Sequence, residues 1–396
     1  MSAAKQDTVM MRLRYRPPSM LPALAQSDVL RSGASGAWTE PPGEPRRFIR
    51  YAPEFIDDPD ETGLFQGLGS ATYTSPPVFV TALDHATLFG YRMVAAEGSF
   101  CTDEAGGDPA EDAAFLDKLA SPDSFANEET GLQRDGSDVF TLTKAGRPFR
   151  DLPGTVVSLC SHEPSNYGSF LFRVLSKLQT VETMGLQGLP VVAWAYAPAF
   201  QQLLALCGVH SARLVQHEPH TLTTFGRIIA PSLRNPHGFL DPSSHAFFQR
   251  LAARQPARSA RRLYVSRMGQ ARRGGSSRVL ANEAELASAM SSLGFEVLEP
   301  ETLSPAEQIA AFASADAVVG PAGSAMFNTV FCRPGTKVLD IESEPDWIYS
   351  HTGLFASCKL RYGLFVGQVD ATDLRPVHRR WTVNVPAVVS RVRYWV

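Results

Sequence analysis

The chain has 396 residues, 44% of them hydrophobic, and a formal net charge of −3. That length exceeds what one hydrophobic core usually serves, so two domains are expected. The slightly negative balance argues against nucleic acid as the main partner.

No segment is continuously apolar enough to span a bilayer. The best candidate, Leu189 to Cys207, is interrupted by Pro190, Pro198, Gln201 and Gln202. Cys101, Cys160, Cys207, Cys332 and Cys358 are odd in number and scattered, without a CxxC pair. Neither a zinc site nor a disulfide framework is indicated, and a reducing, cytoplasmic setting is the simplest account. The basic N-terminus lacks an apolar core and a cleavage site, so it does not read as a signal peptide. A peripheral membrane association stays open.

Residues 1–44 are rich in Pro, Ser, Gly and Ala and predict a loose extension. Val78 to Leu83 predicts a strand. From Cys101 to Asp138 the chain is crowded with Asp and Glu, Asp103 and Glu104 among them, which predicts an exposed helix and loop insertion. Val139 to Thr143 predicts a hairpin strand. Next comes an ordered series. Thr155 to Cys160 is a buried strand, and Asn166 to Leu178 a helix with Phe170, Val174 and Leu178 on one face. Leu189 to Tyr196 is a second strand, Pro198 to Leu206 a helix, and Ala212 to Val215 a third strand. That alternation predicts a parallel sheet with crossover helices, a first Rossmann-like domain over 45–228.

A Pro-, Ser- and Gly-rich connection, Pro231 to Pro242, leads to a second series over 229–365. Arg262 to Ser266 and Phe295 to Leu298 predict strands. Asn282 and Ser304 read as helix N-caps, with Glu285 and Glu307 at capping-box spacing and Pro305 at the first helical position. Residues 366–396, including Trp381 to Val396, are expected to return to the first domain. The expected fold class is α/β, two Rossmann-like domains facing each other across a cleft.

The most informative stretch is Asp316 to Ile341. Ala317 to Val319 is a buried strand, broken by Gly320, Pro321 and Gly323. Ser324 stands where a helix would begin and where its hydroxyl could cap. Pro334 and Gly335 end that helix, and Lys337 to Ile341 resumes as a strand. A small-residue turn feeding a helix at the carboxyl end of a buried strand suits a phosphate or diphosphate. Gly323, Ser324 and Ala325 would offer backbone N–H groups. Arg267, at the end of the first strand of this half, could grip phosphate oxygens beside Ser266. Arg272 and Arg273 could fold over the ligand or remain a solvated cationic loop. Asn328 could bond a phosphate or bridge the neighbouring loop. Glu301 is a candidate for the nucleoside or, equally, a solvated carboxylate flanking a helix, and Glu342 is a candidate for a ribose hydroxyl.

In the first half, the loop before the Asn166 helix offers His162 and Glu163 as proton acceptors, against the plain alternative that a loop histidine is solvated or capping. Three other signals are discounted. The DxD string within Asp57 to Glu61 lacks a preceding strand. HEPH (His217 to His220) has a helix-breaking Pro219 where a zinc motif needs a helix. The arginine run from Arg254 to Arg278 has few aromatics for stacking on bases.

RLYVSR (Arg262 to Arg267), NEAEL (Asn282 to Leu286), Gly294 to Ala315, VVGPAGSAMFN (Val318 to Asn328) and PGTKVLDIE (Pro334 to Glu342) together resemble glycosyltransferase family 61 in order and spacing. NYGSFLFRVLSKL (Asn166 to Leu178) resembles that family's N-domain helix. The resemblance implies a GT-B architecture and an inverting transfer without a bound metal. The sugar would pass from a nucleotide donor, expected to be UDP-linked, to a glycan, lipid-linked or protein acceptor, as in surface or capsular polysaccharide synthesis. It puts Asn166, Ser169 and Arg173 on the acceptor side. The chain departs from the family at three polar positions: Ala322 and Ser169 stand where members have His, and Arg173 where they often have Asp. Those departures keep a second reading in play, a catalytically inactive glycan-binding or scaffold relative. A nucleotide-sugar epimerase is a third, and a dehydrogenase a poorer fourth, since no GxGxxG follows the first strand of either half.

Overall fold

In the computed structural model the described residues are 10–104, 109–121, 131–144, 146–235, 238–272, 274, 278–345, 348–375 and 377–396. They divide into two compact units, Met1–Arg46 with Thr74–Arg234 and Arg47–Tyr73 with Asn235–Val396. The chain is mixed α/β, with one large sheet in each unit.

The first unit is built on an eleven-stranded sheet. At one end Phe149–Ser158, Val191–Ala193, Leu214–Gln216 and Leu222–Pro231 run parallel. Val156, Val157, Val191, Val192, Ile228 and Ile229 are all buried there, as expected of strands covered on both faces. The helix Pro198–Leu206 begins with proline at its first position, as its sequence predicts.

The remainder of that sheet departs from the sequence reading. Phe79–Phe89 continues well beyond the predicted strand and pairs antiparallel with both Leu222–Pro231 and Gly36–Thr39. Met10–Tyr15 lies inside the sheet between Ser99–Cys101 and Val139–Thr143. The N-terminal region from Met10 is thus a sheet component rather than a loose extension. The acidic insertion is also corrected. Its helix Pro109–Ala120 buries Leu116 and Leu119 in a core with Tyr15, Phe100 and Phe140.

The second unit has a wholly parallel six-stranded sheet. In spatial order it runs Glu296–Leu298, Arg262–Val265, Ala317–Pro321, Lys337–Glu342, Arg361–Val366, Ile56–Asp57. The last strand comes from Arg47–Tyr73, which therefore belongs to this unit and not to the first domain. The helix Pro305–Ser314 has the predicted capping box between Ser304 and Glu307. Asn282 precedes the helix Glu283–Ser292, but its amide does not cap. It bonds the backbone of Val383 in both directions, at 2.8 and 3.1 Å. That bond holds the C-terminal tail on this unit. Trp381, Val383, Val385, Val388, Val392 and Trp395 join its core, so the expected return of the tail to the first domain is overturned. Among the described residues no helix is long and apolar enough to cross a membrane.

Candidate functional site

The second unit's sheet grows in one direction from Arg262–Val265 to Glu296–Leu298, then in the other from Arg262–Val265 to Ala317–Pro321. The reversal falls between the carboxyl ends of Arg262–Val265 and Ala317–Pro321. In open parallel sheets that is where ligands bind. Gly320 allows the two strands to close up: a Cβ there would stand 2.8 Å from the Val265 carbonyl oxygen.

The strand runs on through Gly320 and Pro321, one of the predicted site residues, whose ring is buried. The short 3-10 helix Ser324–Phe331 follows. Gly323, not Ser324, holds the cap position, and no side chain caps the helix, so the predicted hydroxyl cap is corrected. The first intrahelical bond is Met326 N–H to Gly323 O, at 2.9 Å. The N–H groups of Gly323, Ser324 and Ala325 therefore precede the helical ladder. Ser324 is exposed, while Gly323 and Ala325 are half-buried.

Two guanidinium groups converge on this turn. Arg267 Nη1 donates to the Ala322 carbonyl at 2.5 Å, and Arg278 Nη2 to the same oxygen at 2.7 Å. The loop carrying Arg267 is fixed from below by Glu283. Its Oε1 accepts from Arg267 N at 2.6 Å and from the buried Ser266 hydroxyl at 3.0 Å. Burial, with Arg278 alongside, lowers Arg267 to about 10. Arg278 also pairs with buried Glu342, whose Oε2 lies 3.1 Å from Nη1. Burial lifts the Glu342 carboxyl above its ordinary value despite that pairing. Glu283 and Glu342 offset part of this crowding, and an anion at the exposed Ser324 would relieve more of the repulsion between the two cations.

The other predicted residues of this half fall elsewhere. Ser266 commits its hydroxyl to Glu283, so it supports the loop. Asn328 is wholly buried and donates to Gln308 Oε1 and the Ala325 carbonyl, both at 3.1 Å, which leaves the phosphate-bonding alternative without its donors. Arg272 ends a short helix, Met268–Arg272, and forms an exposed ion pair with Glu299 at 2.6 Å. Arg273 lies outside the described residues. Glu301 sits on the turn Pro300–Thr302, its carboxylate pressed against Gly269: a Cβ at Gly269 would meet Glu301 Oε1 at 2.1 Å. Glu342 is held by Arg278 and the N–H groups of Ser343 and Glu344.

The first unit brings a different set together. His162 and Glu163 follow the strand Phe149–Ser158, as predicted. Glu163 takes a left-handed backbone, φ 47°, uncommon for a side chain of its size. Asn166 caps the next helix, its Oδ1 accepting from Gly168 N at 2.9 Å and Ser169 N at 3.3 Å. Ser169 donates to the His162 carbonyl at 2.8 Å, tying helix to loop. The predicted single helix is three pieces: Tyr167–Ser169, a wide π turn over Phe170–Leu175, and Lys177–Thr183. Such π turns often mark functional positions.

Beneath that loop lies a charge cluster the sequence reading missed. Lys177, 1% exposed, is 2.9 Å from Asp103 Oδ2 and donates to the Cys160 carbonyl at 2.6 Å. Ser161 donates to the same Asp103 oxygen. Arg92 contacts Asp103 at 3.5 Å and Glu104 at 2.6 Å, and Arg173 reaches Glu104 at 3.6 Å. Asp103 and Glu104, expected in solvent, thus sit in the interior of the cluster or at its edge. Burial alone would raise Asp103, but Lys177 and Arg92 outweigh it and hold the carboxyl at about 2. Burial lowers His162 to about 4, helped by Arg92 and Arg173. The imidazole is therefore neutral at pH 7 and can accept a proton. A signal was present for Lys177: it lies on the helix face of Val174 and Val181, both buried.

The discounted motifs have structural roles. The DxD string, Asp58 to Asp60, directly follows the strand Ile56–Asp57, so the expectation that no strand precedes it is corrected; Asp58 accepts from the N–H groups of Thr62 and Gly63, Asp57 pairs with Arg391, and His217 is buried with Nε2 2.7 Å from the Gly90 carbonyl.

The family model described as Glycosyltransferase 61 matches residues 167–339. No curated protein matches the chain.

Proposed function

Residues 167–339 belong to glycosyltransferase family 61, and on that premise we propose that the protein transfers a sugar from a nucleotide-linked donor to a hydroxyl acceptor with inversion. The observation that carries the reading is the pair Arg267 and Arg278 on the Ala322 carbonyl, at the point where the strand order of the second unit reverses. A leaving diphosphate needs its developing charge stabilised. The backbone N–H groups of Gly323, Ser324 and Ala325 and the Arg267 guanidinium supply that at one turn, with Arg278 adding positive charge behind it. In this proposal the architecture is GT-B. The second unit takes the donor, expected to be UDP-linked, and the first takes a glycan, lipid-linked or protein acceptor. No metal is required, because cationic side chains do its work.

On the acceptor side His162 takes the hydroxyl proton, with Arg173 and Glu104 setting the local charge. Its depressed basicity keeps the ring unprotonated before reaction, at the expense of driving force. Glu163, beside it on the same loop, is the alternative base. The cellular role we propose is surface or capsular polysaccharide synthesis in the cytoplasm, by a protein that need only touch a membrane peripherally.

The test is a screen of nucleotide sugars for released nucleoside diphosphate, with candidate acceptor glycans present, run on the purified protein and on Arg267→Ala. The expected result is release that depends on an acceptor and is lost in the variant. Release equal in both proteins would remove the anion site from the reaction.

A second reading has its own support. Ser169 commits its hydroxyl to a backbone carbonyl, and the Ala322 side chain is buried. Neither position offers the imidazole expected from the family pattern. A binding protein without transfer would keep the diphosphate affinity and show no turnover with any donor.

A further inference from the structure

The loop that follows the strand Arg262–Val265 is fastened residue by residue. Ser266 N donates to the Leu298 carbonyl at 2.8 Å. The buried Ser266 hydroxyl donates to Glu283 Oε1 at 3.0 Å and accepts from Met268 N at 3.1 Å. Arg267 N donates to the same Glu283 oxygen at 2.6 Å. Gly269 is wedged against two more carboxylates: a Cβ there would stand 2.1 Å from Glu301 Oε1 and 2.7 Å from Glu299 Oε2. The Arg267 backbone is thereby fixed where its guanidinium meets the Ala322 carbonyl, at 2.5 Å. Within this arrangement Glu283 is the one side chain that bonds both Ser266 and the backbone of Arg267. It opens the helix Glu283–Ser292, where the helix dipole favours an acid, and is 4% exposed.

Resting on the diphosphate reading of the Gly323 turn, we propose that Glu283 is a positioning residue of that site: it touches no ligand itself, and it sets through the Arg267 backbone where the guanidinium stands. Its charge alone gives no reason for its presence. A carboxylate beside Arg267 opposes an anion arriving at the same arginine. Burial also raises the Glu283 carboxyl above its ordinary value, although Arg267 and the Ser266 hydroxyl pull the other way. What an acid offers here is an acceptor oxygen at the right reach, taking donors from two consecutive residues of the loop. Reach and charge are therefore separable. A side chain that keeps the oxygen and drops the charge should serve the site, and one that drops both should not.

The experiment is calorimetric titration of the full chain with inorganic pyrophosphate at pH 7, on wild type, Glu283→Gln and Glu283→Leu, with a thermal melt of each to establish folding. Glu283→Leu should bind about tenfold or more weakly, the size of losing a hydrogen bond to a charged group. Glu283→Gln, whose amide oxygen still accepts, should bind as tightly as wild type or more tightly. If Glu283→Leu does not fold, Glu283→Asp takes its place: it keeps the charge and withdraws the oxygen by one methylene, and the same loss is expected. Wild-type affinity in a folded Glu283→Leu or Glu283→Asp would make the role merely structural and overturn the proposal, leaving the Arg267 turn standing. A loss in Glu283→Gln equal to that in the other variant would assign the effect to charge and overturn it as well. No binding by wild type overturns both this proposal and the diphosphate reading.

Discussion

The Arg267 guanidinium occupies the space in which a side chain at position 323 would begin. A Cβ on Gly323 would stand 2.7 Å from Nη1 and 3.1 Å from Cζ. The glycine is needed for that approach and not for its backbone, because at φ 166° the residue is extended, a conformation open to any amino acid. Two chain segments that are remote in sequence, the ends of Arg262–Val265 and Ala317–Pro321, thereby share one surface.

Gly323→Ala should consequently separate folding from binding. The displaced group is the far end of a flexible side chain, so stability should change by less than about 1 kcal/mol. Diphosphate affinity should fall about tenfold or more, since the guanidinium can no longer lie on the turn. Thermal melting with calorimetric titration checks both halves. Undiminished affinity in a folded variant would mean that Arg267 does not grip the ligand from this position.

Arg278→Met should be costly in a way that depends on pH. Removing one partner of a buried ion pair typically costs about 3–5 kcal/mol, because the other charge is stranded. Here the stranded group is Glu342, whose carboxyl burial already raises above 4.5. Above the unfolded value the unfolded chain gives up this proton before the native one does, so stability falls as pH rises. Without Arg278 that fall steepens, and the variant should be weaker at pH 8 than at pH 5 by denaturant titration. A further Glu342→Gln change should recover part of the loss. An equal deficit at both pH values would show that Glu342 is not the stranded charge.

The parts that the sequence revealed are local. Ala317 through Ile341 carries its strand, turn and helix within one short stretch, and Ser304, Pro305 and Glu307 specify a cap with three neighbours. What stayed hidden depends on partners remote in sequence. Arg278 looks like one more member of an arginine-rich loop until Ala322 and Glu342 are brought beside it. Asp103 and Glu104 belong to an acidic run whose composition signals solvent, yet Lys177 and Arg92 compensate them inside the fold. Met10–Tyr15 needs Val139–Thr143 to be seen as a strand. The apolar spacing of Val385, Val388 and Val392 predicts a buried helix face without saying which unit buries it.

His217 should make the first unit sensitive to mild acid. Its Nε2 faces the Gly90 carbonyl, which can only accept, so Nε2 carries a proton and the second proton would have to go to Nδ1, which is buried and has no hydrogen-bond partner among the described residues. Burial lowers its value from 6.5 to about 4. Between those values the unfolded chain binds a proton that the native one refuses, so stability drops as pH falls from 6.5 to 4. The contribution is about 3 kcal/mol at full extent. His217→Gln should flatten that slope in denaturant titrations at pH 7, 6, 5 and 4. A slope unchanged by the substitution would assign the acid sensitivity to other groups.

Lys177→Met tests whether the buried cluster holds the candidate base in place. Asp103 sits near 2 because Lys177 and Arg92 offset its burial, so it supports the fold above its ordinary value of 3.8 and loses that support as pH falls toward 2. Taking away Lys177 leaves the carboxylate to Arg92 and Ser161, and frees the Cys160 carbonyl of its donor. The expected loss is about 3–5 kcal/mol at pH 7. Paired with Asp103→Asn the loss should be less than the sum of the two single changes, because they share one contact. Ser161 and His162 are consecutive, so the loop carrying the imidazole should loosen as well. Hydrogen exchange at Ser161, His162 and Glu163 reads that effect separately from global stability: faster exchange is expected in Lys177→Met, and protection equal to wild type would uncouple the cluster from the loop.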